Sequence, residues 1–316
     1  MTKASALMKT KVPRLNLLLW CLLPICASRL AASPATFVTA LPVATDQLLV
    51  RFNFQPTFGT SGFTGLQFPV TFAYGFTPKL ALFTTTNEGV GWLTQATPAG
   101  PVNASAGGAG DLLFFARYTL LRIDKPKSTL RIAPLAGAFF PTGDNALRGQ
   151  QGLLPGSLQT GSGTVDPYFG VTMGYNNSRW GLAADTTYRY NPTANQGLSP
   201  GSELRTDGQF ELRVIPMHLP EEGNPKVLWL SIETNYVQDL RSGVNGVSVA
   251  GSGGKSLKED VTLEWTTLHW QLGLGGQLPF MQNLPGVGRI REHSGAFVFF
   301  EYYLAAPQWR HRRGRS

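Results

Sequence analysis

The feature that most constrains the fold of this 316-residue chain is a run of about ten residues, alternating in polarity, that recurs along most of its length. Successive side chains of a strand point to opposite faces, so alternation with a period of two belongs to β structure. The clearest case is LQFPVTFAYG at 66–75, where Leu66, Phe68, Val70, Phe72 and Tyr74 share one face. Similar runs lie at 47–55, 79–86, 111–121, 129–140, 165–175, 179–190, 203–214 and 227–238. These are long strands. Those of globular proteins peak at about 5–6 residues, whereas a tilted strand that crosses an outer membrane needs about 9–11.

Charge is confined to one parity. Over 179–190, Trp180, Leu182, Ala184, Thr186, Tyr188 and Tyr190 oppose Asp185 and Arg189. Over 203–214, Phe210, Leu212 and Val214 oppose Asp207, Gln209, Glu211 and Arg213, and over 227–238, Leu228, Leu230, Ile232 and Tyr236 oppose Ser231, Glu233 and Asn235. Arg51, Arg117 and Arg131 also sit opposite their large apolar neighbours. An apolar outside, a polar inside and aromatic residues near strand ends form the pattern of a transmembrane β-barrel. Closure also satisfies every backbone polar group in lipid, which an open sheet does not do. The competing architecture is a soluble periplasmic β-sandwich acting as a binding protein, which alternates because one face meets water. Strand length and the aromatic ends favour the barrel.

Loop lengths are an independent test. Outer-membrane barrels alternate short periplasmic turns with longer extracellular loops. Here short connections at 75–79, 122–128 and 176–179 alternate with long ones at 87–109, 141–163 and 191–203. A medium loop at 56–65 and the segment 239–256 fall outside, and 215–226 falls inside. Segment 257–280 slips in parity: Val261, Leu263 and Trp265 share a face, then Leu268, Trp270, Leu272 and Leu274 do. A β-bulge would explain one slip. A tight turn at Thr266–Thr267 explains it too, makes the strand number even and returns 295–304 to the periplasm. The expected fold is therefore an all-β, antiparallel, up-and-down transmembrane barrel of about twelve strands over 46–304.

Only 15% of residues are charged, against about 25% in soluble domains, and the formal net charge is +8. Residues 1–27 contain Lys3, Lys9, Lys11 and Arg14 without an acid, and the tail contains Arg310, Arg312, Arg313 and Arg315. With these set aside, the body holds equal numbers of basic and acidic side chains and lacks the basic stripe of a nucleic-acid binder. The basic start, the apolar run from Leu15 to Ala27 and the small residues SRLAASPA form a secretory signal peptide over 1–27, with cleavage after Ala27, Ala32 or Ala35. Neither Cys21 nor Cys26 follows the small residue that lipid anchoring would require, and both leave with the signal. Residues 305–316 read as a solvated basic tail. No later apolar run reaches the roughly 18 residues of a spanning helix.

The sequence offers no catalytic constellation, cofactor fingerprint or metal-ligand spacing, so neither enzyme activity nor a cofactor is expected. His218, His269, His293 and His311 lack a zinc spacing. His269 alone is read within a strand, which makes it the one candidate base. The Gly-rich stretches 105–111, 161–163 and 251–255 lack the context and Lys-Ser/Thr ending of a phosphate loop. The informative side chains are Arg117, Asp185, Arg189, Asp207, Glu211, Arg213, Glu233, Asp260, Glu264 and Glu301, which the parity places on the lumen. Their mixed signs suit pairing across strands, which fills a narrow barrel, more than the one-sign rings of a strongly selective pore. A direct role on a solute path is the alternative. About eight strands fill with side chains and about sixteen leave a channel, so twelve fits a restricted pore or a plugged barrel.

Several short motifs carry a family likeness: Gly110-Asp111 before Ala116-Arg117-Tyr118, Phe140-Pro141-Thr142-Gly143-Asp144, Gly161-Ser162-Gly163-Thr164-Val165-Asp166-Pro167-Tyr168, and Gln277-Leu278-Pro279. Over 46–304 the chain resembles the outer-membrane transporter family named for the MetA pathway of phenol degradation. The resemblance implies a bacterial outer-membrane channel for passive passage of small molecules, with aromatic or hydrophobic compounds suggested by the family name. Implied partners are outer-membrane lipids, small-molecule solutes and the barrel-assembly machinery. An outer-membrane barrel enzyme or a plugged structural barrel are the other readings. One departure is the C-terminus, where AAPQWRHRRGRS follows Leu304, whereas many such barrels end on an aromatic residue.

Overall fold

The computed structural model describes residues 36–41, 43–97, 100–149, 152–154, 158–194, 198–220, 226–285 and 290–305. The signal segment and the tail beyond Ala305 lie outside the described residues. Alternating sequence becomes strand throughout. In chain order the strands are β1 (Gln47–Gly59), β2 (Thr64–Gln67), β3 (Val70–Gly75), β4 (Leu80–Thr86), β5 (Glu88–Thr97), β6 (Gly100–Ala109), β7 (Leu112–Tyr118), β8 (Leu121–Lys125) and β9 (Ser128–Phe140). Then follow β10 (Arg148–Gly149), β11 (Gly152–Leu153), β12 (Asp166–Asn177), β13 (Trp180–Arg189), β14 (Leu198–Ser199), β15 (Glu203–Ile215) and β16 (Val227–Asp239). The last are β17 (Gly243–Val244), β18 (Val247–Ser248), β19 (Gly254–Thr266), β20 (Trp270–Asn283) and β21 (Glu292–Ala305).

Twelve of these form the wall in the order β1-β3-β4-β7-β9-β12-β13-β15-β16-β19-β20-β21, every neighbour antiparallel. The ring closes where β21 pairs with β1, from Gln47↔Ala305 to Gly59↔Glu292. The lipid face is apolar, with Phe72, Phe114, Phe169, Leu182, Phe210, Ile232, Val261, Leu263 and Phe300 all exposed. The opposite parity is buried and polar, with Thr172, Asp185, Asp207, Glu233, Asp260, Thr262 and Glu264. Such an apolar belt has no place in water and is the surface that a bilayer covers.

Three local features refine or correct the sequence expectation. The run at 66–75 is split into β2 and β3 at Phe68 and Pro69, because proline has no N–H to give to the ladder. The stretch 87–109, expected as a loop, is instead the β5–β6 hairpin that carries the wall above the membrane on its long-loop side. Its Gly- and Ala-rich sequence has weak strand propensity, which hid it. The parity slip in 257–280 is resolved by a turn at Thr267–His269, where the Thr267 hydroxyl accepts from Trp270 N at 3.1 Å and donates to Trp270 O at 2.8 Å. His269 is thus an exposed turn residue, and its place in a strand, the ground for considering it as a base, is withdrawn.

The lumen is not left to side chains alone. Before β1 the chain turns at Asp46, in a left-handed conformation with φ 56°, and residues 36–41 and 43–45 run inside the barrel. Thr45 bridges to Gly75, and Asp46 N donates to Gly75 O at 2.8 Å. Glycine is required there, because a Cβ on residue 75 would lie 2.1 Å from Ala44 O.

Replacing Leu263 by Arg at mid-strand on the lipid face should cost about 2–4 kcal/mol of stability. Unfolding titrations in bilayers measure this, and Val247→Arg in the outer loop should leave the midpoint nearly unchanged.

Candidate permeation path

The inner segment is held by wall side chains reaching for its backbone, whose described residues have no ladder partner beyond that of Thr45. Arg117 on β7 donates to the carbonyls of Thr39 and, at 2.6 Å, Leu41. Thr172 on β12 donates to Val38 O at 2.9 Å, and Arg205 on β15 to Thr36 O at 3.1 Å. Ala40 and Val43 are buried. Val38 and Val43 pack in a cluster with Ala73, Ala81, Phe83, Phe115 and Leu135, so one half of the barrel has an apolar core made of plug and wall together.

The ten inward candidates are placed as follows. Arg117, besides bracing the plug, lies over the Phe83 ring at 4.8 Å. Asp185 and Asp207 face each other in register on β13 and β15, both buried, and Asp207 takes Arg205 Nε at 2.5 Å. Arg189 joins Asp166 through Nε at 3.0 Å and lies 3.5 Å from Asp111. Glu211 accepts from Asn176. Arg213, near the short-turn end, reaches Met217 O at 3.5 Å. Glu233 accepts from the Thr36 hydroxyl at 2.9 Å. Asp260 accepts from Asn235 at 2.8 Å and Gln277 at 3.2 Å. Glu264 accepts from Ser231 at 2.8 Å and from Gln271. Glu301 is 3.8 Å from Arg51 and accepts from Tyr303. Sequence reasoning passed over Arg205, although it shares the parity of Asp207, and the whole segment 36–45, whose one signal was ten residues without a charge.

Between the plug and the wall lies a cavity of about 520 Å³. It touches all six inner positions of β1 from Gln47 to Thr57, namely Gln47, Leu49, Arg51, Asn53, Gln55 and Thr57. At about 3.3 Å per residue and a tilt of about 40°, that run rises about 25 Å, the height of the apolar band of such barrels. One side of the path is aromatic: Phe83 and Phe115 stack at 4.7 Å, Tyr168 meets Phe115 edge-on at 5.9 Å, and Phe139 meets Tyr168 at 5.5 Å. The other side carries Arg51, Asn53, Gln55, Lys258 and Glu301, with Lys258 paired to Glu292. Of the ten candidates, Arg117, Asp185 and Glu301 reach this cavity.

At the outer rim Gly110-Asp111 and the motifs at 140–144 and 161–168 converge into one knot. Asp111 accepts the backbone N–H of Gly143 at 3.2 Å and of Ser162 at 2.8 Å. The Thr142 hydroxyl donates to Gly110 O at 2.8 Å and accepts from Leu112 N at 2.9 Å. Gly161 is pressed against this turn, since a Cβ there would lie 2.5 Å from Gly143 C and 2.7 Å from the Asp111 carboxylate. Arg189 ties Asp111 to Asp166 and lies 4.0 Å over the Phe139 ring. The motifs thus anchor the loop after β9 beside the cavity mouth.

A closed twelve-strand antiparallel ring with an apolar belt, a polar interior and long connections at one end defines a bacterial outer-membrane β-barrel, here with its own N-terminal segment in the lumen. Residues 49–255 match the family described as "Putative MetA-pathway of phenol degradation", and the chain belongs to that family. Among solved structures, an outer membrane channel from Pseudomonas putida F1 is similar at 15% identity and a TM-score of 0.60, covering 87% of this chain and 100% of that one. The NanC porin is similar at 11% identity and a TM-score of 0.45, over 81% of this chain and 100% of that one. A comparison with curated protein sequences gives no match.

Asp111→Ala should remove two charge-assisted contacts to backbone N–H groups and leave those donors without their acceptor, at a cost of about 1–3 kcal/mol. The readout is faster proteolytic nicking within 141–163 and a lower melting temperature, with barrel strand content by circular dichroism unchanged.

Proposed function

We propose that this protein is an outer-membrane channel for passive passage of small molecules, and that solutes move through the lumen alongside the N-terminal segment. The observation that carries this reading is the cavity that follows the inner face of β1 from Gln47 to Thr57. A path with an aromatic wall opposite arginine, amide and carboxylate groups suits solutes with a flat apolar body and a polar edge. The family description and the porin-like fold point the same way. Among the ten inward charges, Arg117, Asp185 and Glu301 are assigned to the solute path, with Arg189 at its mouth. Glu211, Arg213, Glu233, Asp207, Asp260 and Glu264 are assigned to bracing wall and plug. No catalytic role is assigned to any of them. The apolar outer face of β21, with Phe300, Tyr302 and Leu304, is assigned to recognition by the barrel-assembly machinery.

Liposome swelling with the purified barrel tests the channel reading. Small polar and aromatic solutes should enter, and Tyr168→Trp, which adds bulk at a half-buried position of the aromatic wall, should slow entry several-fold without changing the gel mobility of the folded barrel. Absence of flux for every small solute, with the barrel folded, would contradict it.

A further inference from the structure

Thr36 sits against the acidic half of the lumen. Its hydroxyl bridges Glu233 Oε2 at 2.9 Å and Asn235 Oδ1 at 2.6 Å, and Asn235 Nδ2 in turn donates to Asp260 at 2.8 Å. Arg205 meets Asp207, Asn235 and the Thr36 carbonyl. Asp260 is fully buried, yet one oxygen of its carboxylate has no hydrogen-bond partner. A buried carboxylate without a compensating donor is costly, so this cluster calls for a further cation.

The backbone nitrogen of Thr36 lies about 3 Å from its own hydroxyl by ordinary covalent geometry. It is therefore within about 6 Å of Glu233 Oε2 and Asn235 Oδ1. Of the three candidate cleavage points, the one after Ala35 alone has small residues at both key positions, Ser33 and Ala35; the others place Ile25 or Leu30 three residues before the cut.

We propose that signal peptidase cuts between Ala35 and Thr36, and that the new α-ammonium group is a resident cation of the lumen, set among Glu233, Asp260 and Asp207. Water supplies the balance: the Ala35 carbonyl carbon takes the hydroxyl, the Thr36 nitrogen takes the hydrogen, and protonation of the free amine gives the ammonium. Processing thus creates the charge that fixes the plug, and the barrel is complete only after its signal is gone.

N-terminal sequencing of the protein from outer membranes should begin Thr-Phe-Val-Thr; a start at Ser28 or Ser33 overturns the proposal. The folded barrel should then react with the α-amine reagent 2-pyridinecarboxaldehyde at neutral pH about tenfold more slowly than the heat-unfolded chain, because neighbouring carboxylates hold the amine in its unreactive ammonium form. Equal rates in the two states overturn it even if Thr36 comes first. The pair Glu233→Gln and Asp260→Asn should restore labelling in the folded state, with folding checked by heat-modifiable mobility. None of these readouts depends on solute passage.

Discussion

The structure depends on one constraint: within lipid, every backbone N–H and C=O must find its partner in the protein. The seam between β1 and β21 is where the chain meets it, and the eleven other pairings merely extend the same ladder around the ring. Once the ring is closed, side-chain direction follows from the pleat. Phe, Leu and Val face the bilayer, and Asp, Glu, Arg, Thr and Gln face a lumen too wide to be filled by their own reach.

That lumen is resolved by splitting it in two. On the β3, β4, β7 and β9 side, small and aromatic wall residues accept Val38 and Val43 of the inner segment, which makes an apolar core inside a membrane barrel. On the β13 to β20 side, carboxylates and amides form a hydrogen-bonded lattice in which Glu264 and Asp260 link neighbouring strands. Arg117 and Arg205 join the two halves by gripping the backbone of the segment that lies between them. Between them remains the cavity of about 520 Å³.

Strand number, parity and the alternation of turns were legible because each is written locally, in side chains that must face lipid or not. The turn that ends β19 was legible from the parity of Trp265 and Leu268 for the same reason. The inner segment was not, because TFVTALPVAT has neither alternation nor helical period and is specified by arginines far away in sequence. The β5–β6 hairpin was missed because it stands above the bilayer, where no apolar face is imposed. The inner parity of Asp185 and Asp207 was legible, whereas their meeting as two acids in register depends on strand pairing that composition does not encode. The motif residues Asp111, Gly143 and Gly161 could be recognised as a set, but their convergence in one turn requires the fold.

The central claim is that the inner segment stays in place while solutes pass beside it. A Cβ on Gly174 would lie 3.8 Å from that of Ala40, the mean separation in disulfides, so the pair Ala40→Cys and Gly174→Cys should crosslink in the folded barrel. Planar-bilayer conductance of this variant should be the same oxidised and reduced. Loss of conductance on oxidation, restored by reduction, would show that the segment has to leave for solutes to pass and would contradict the account.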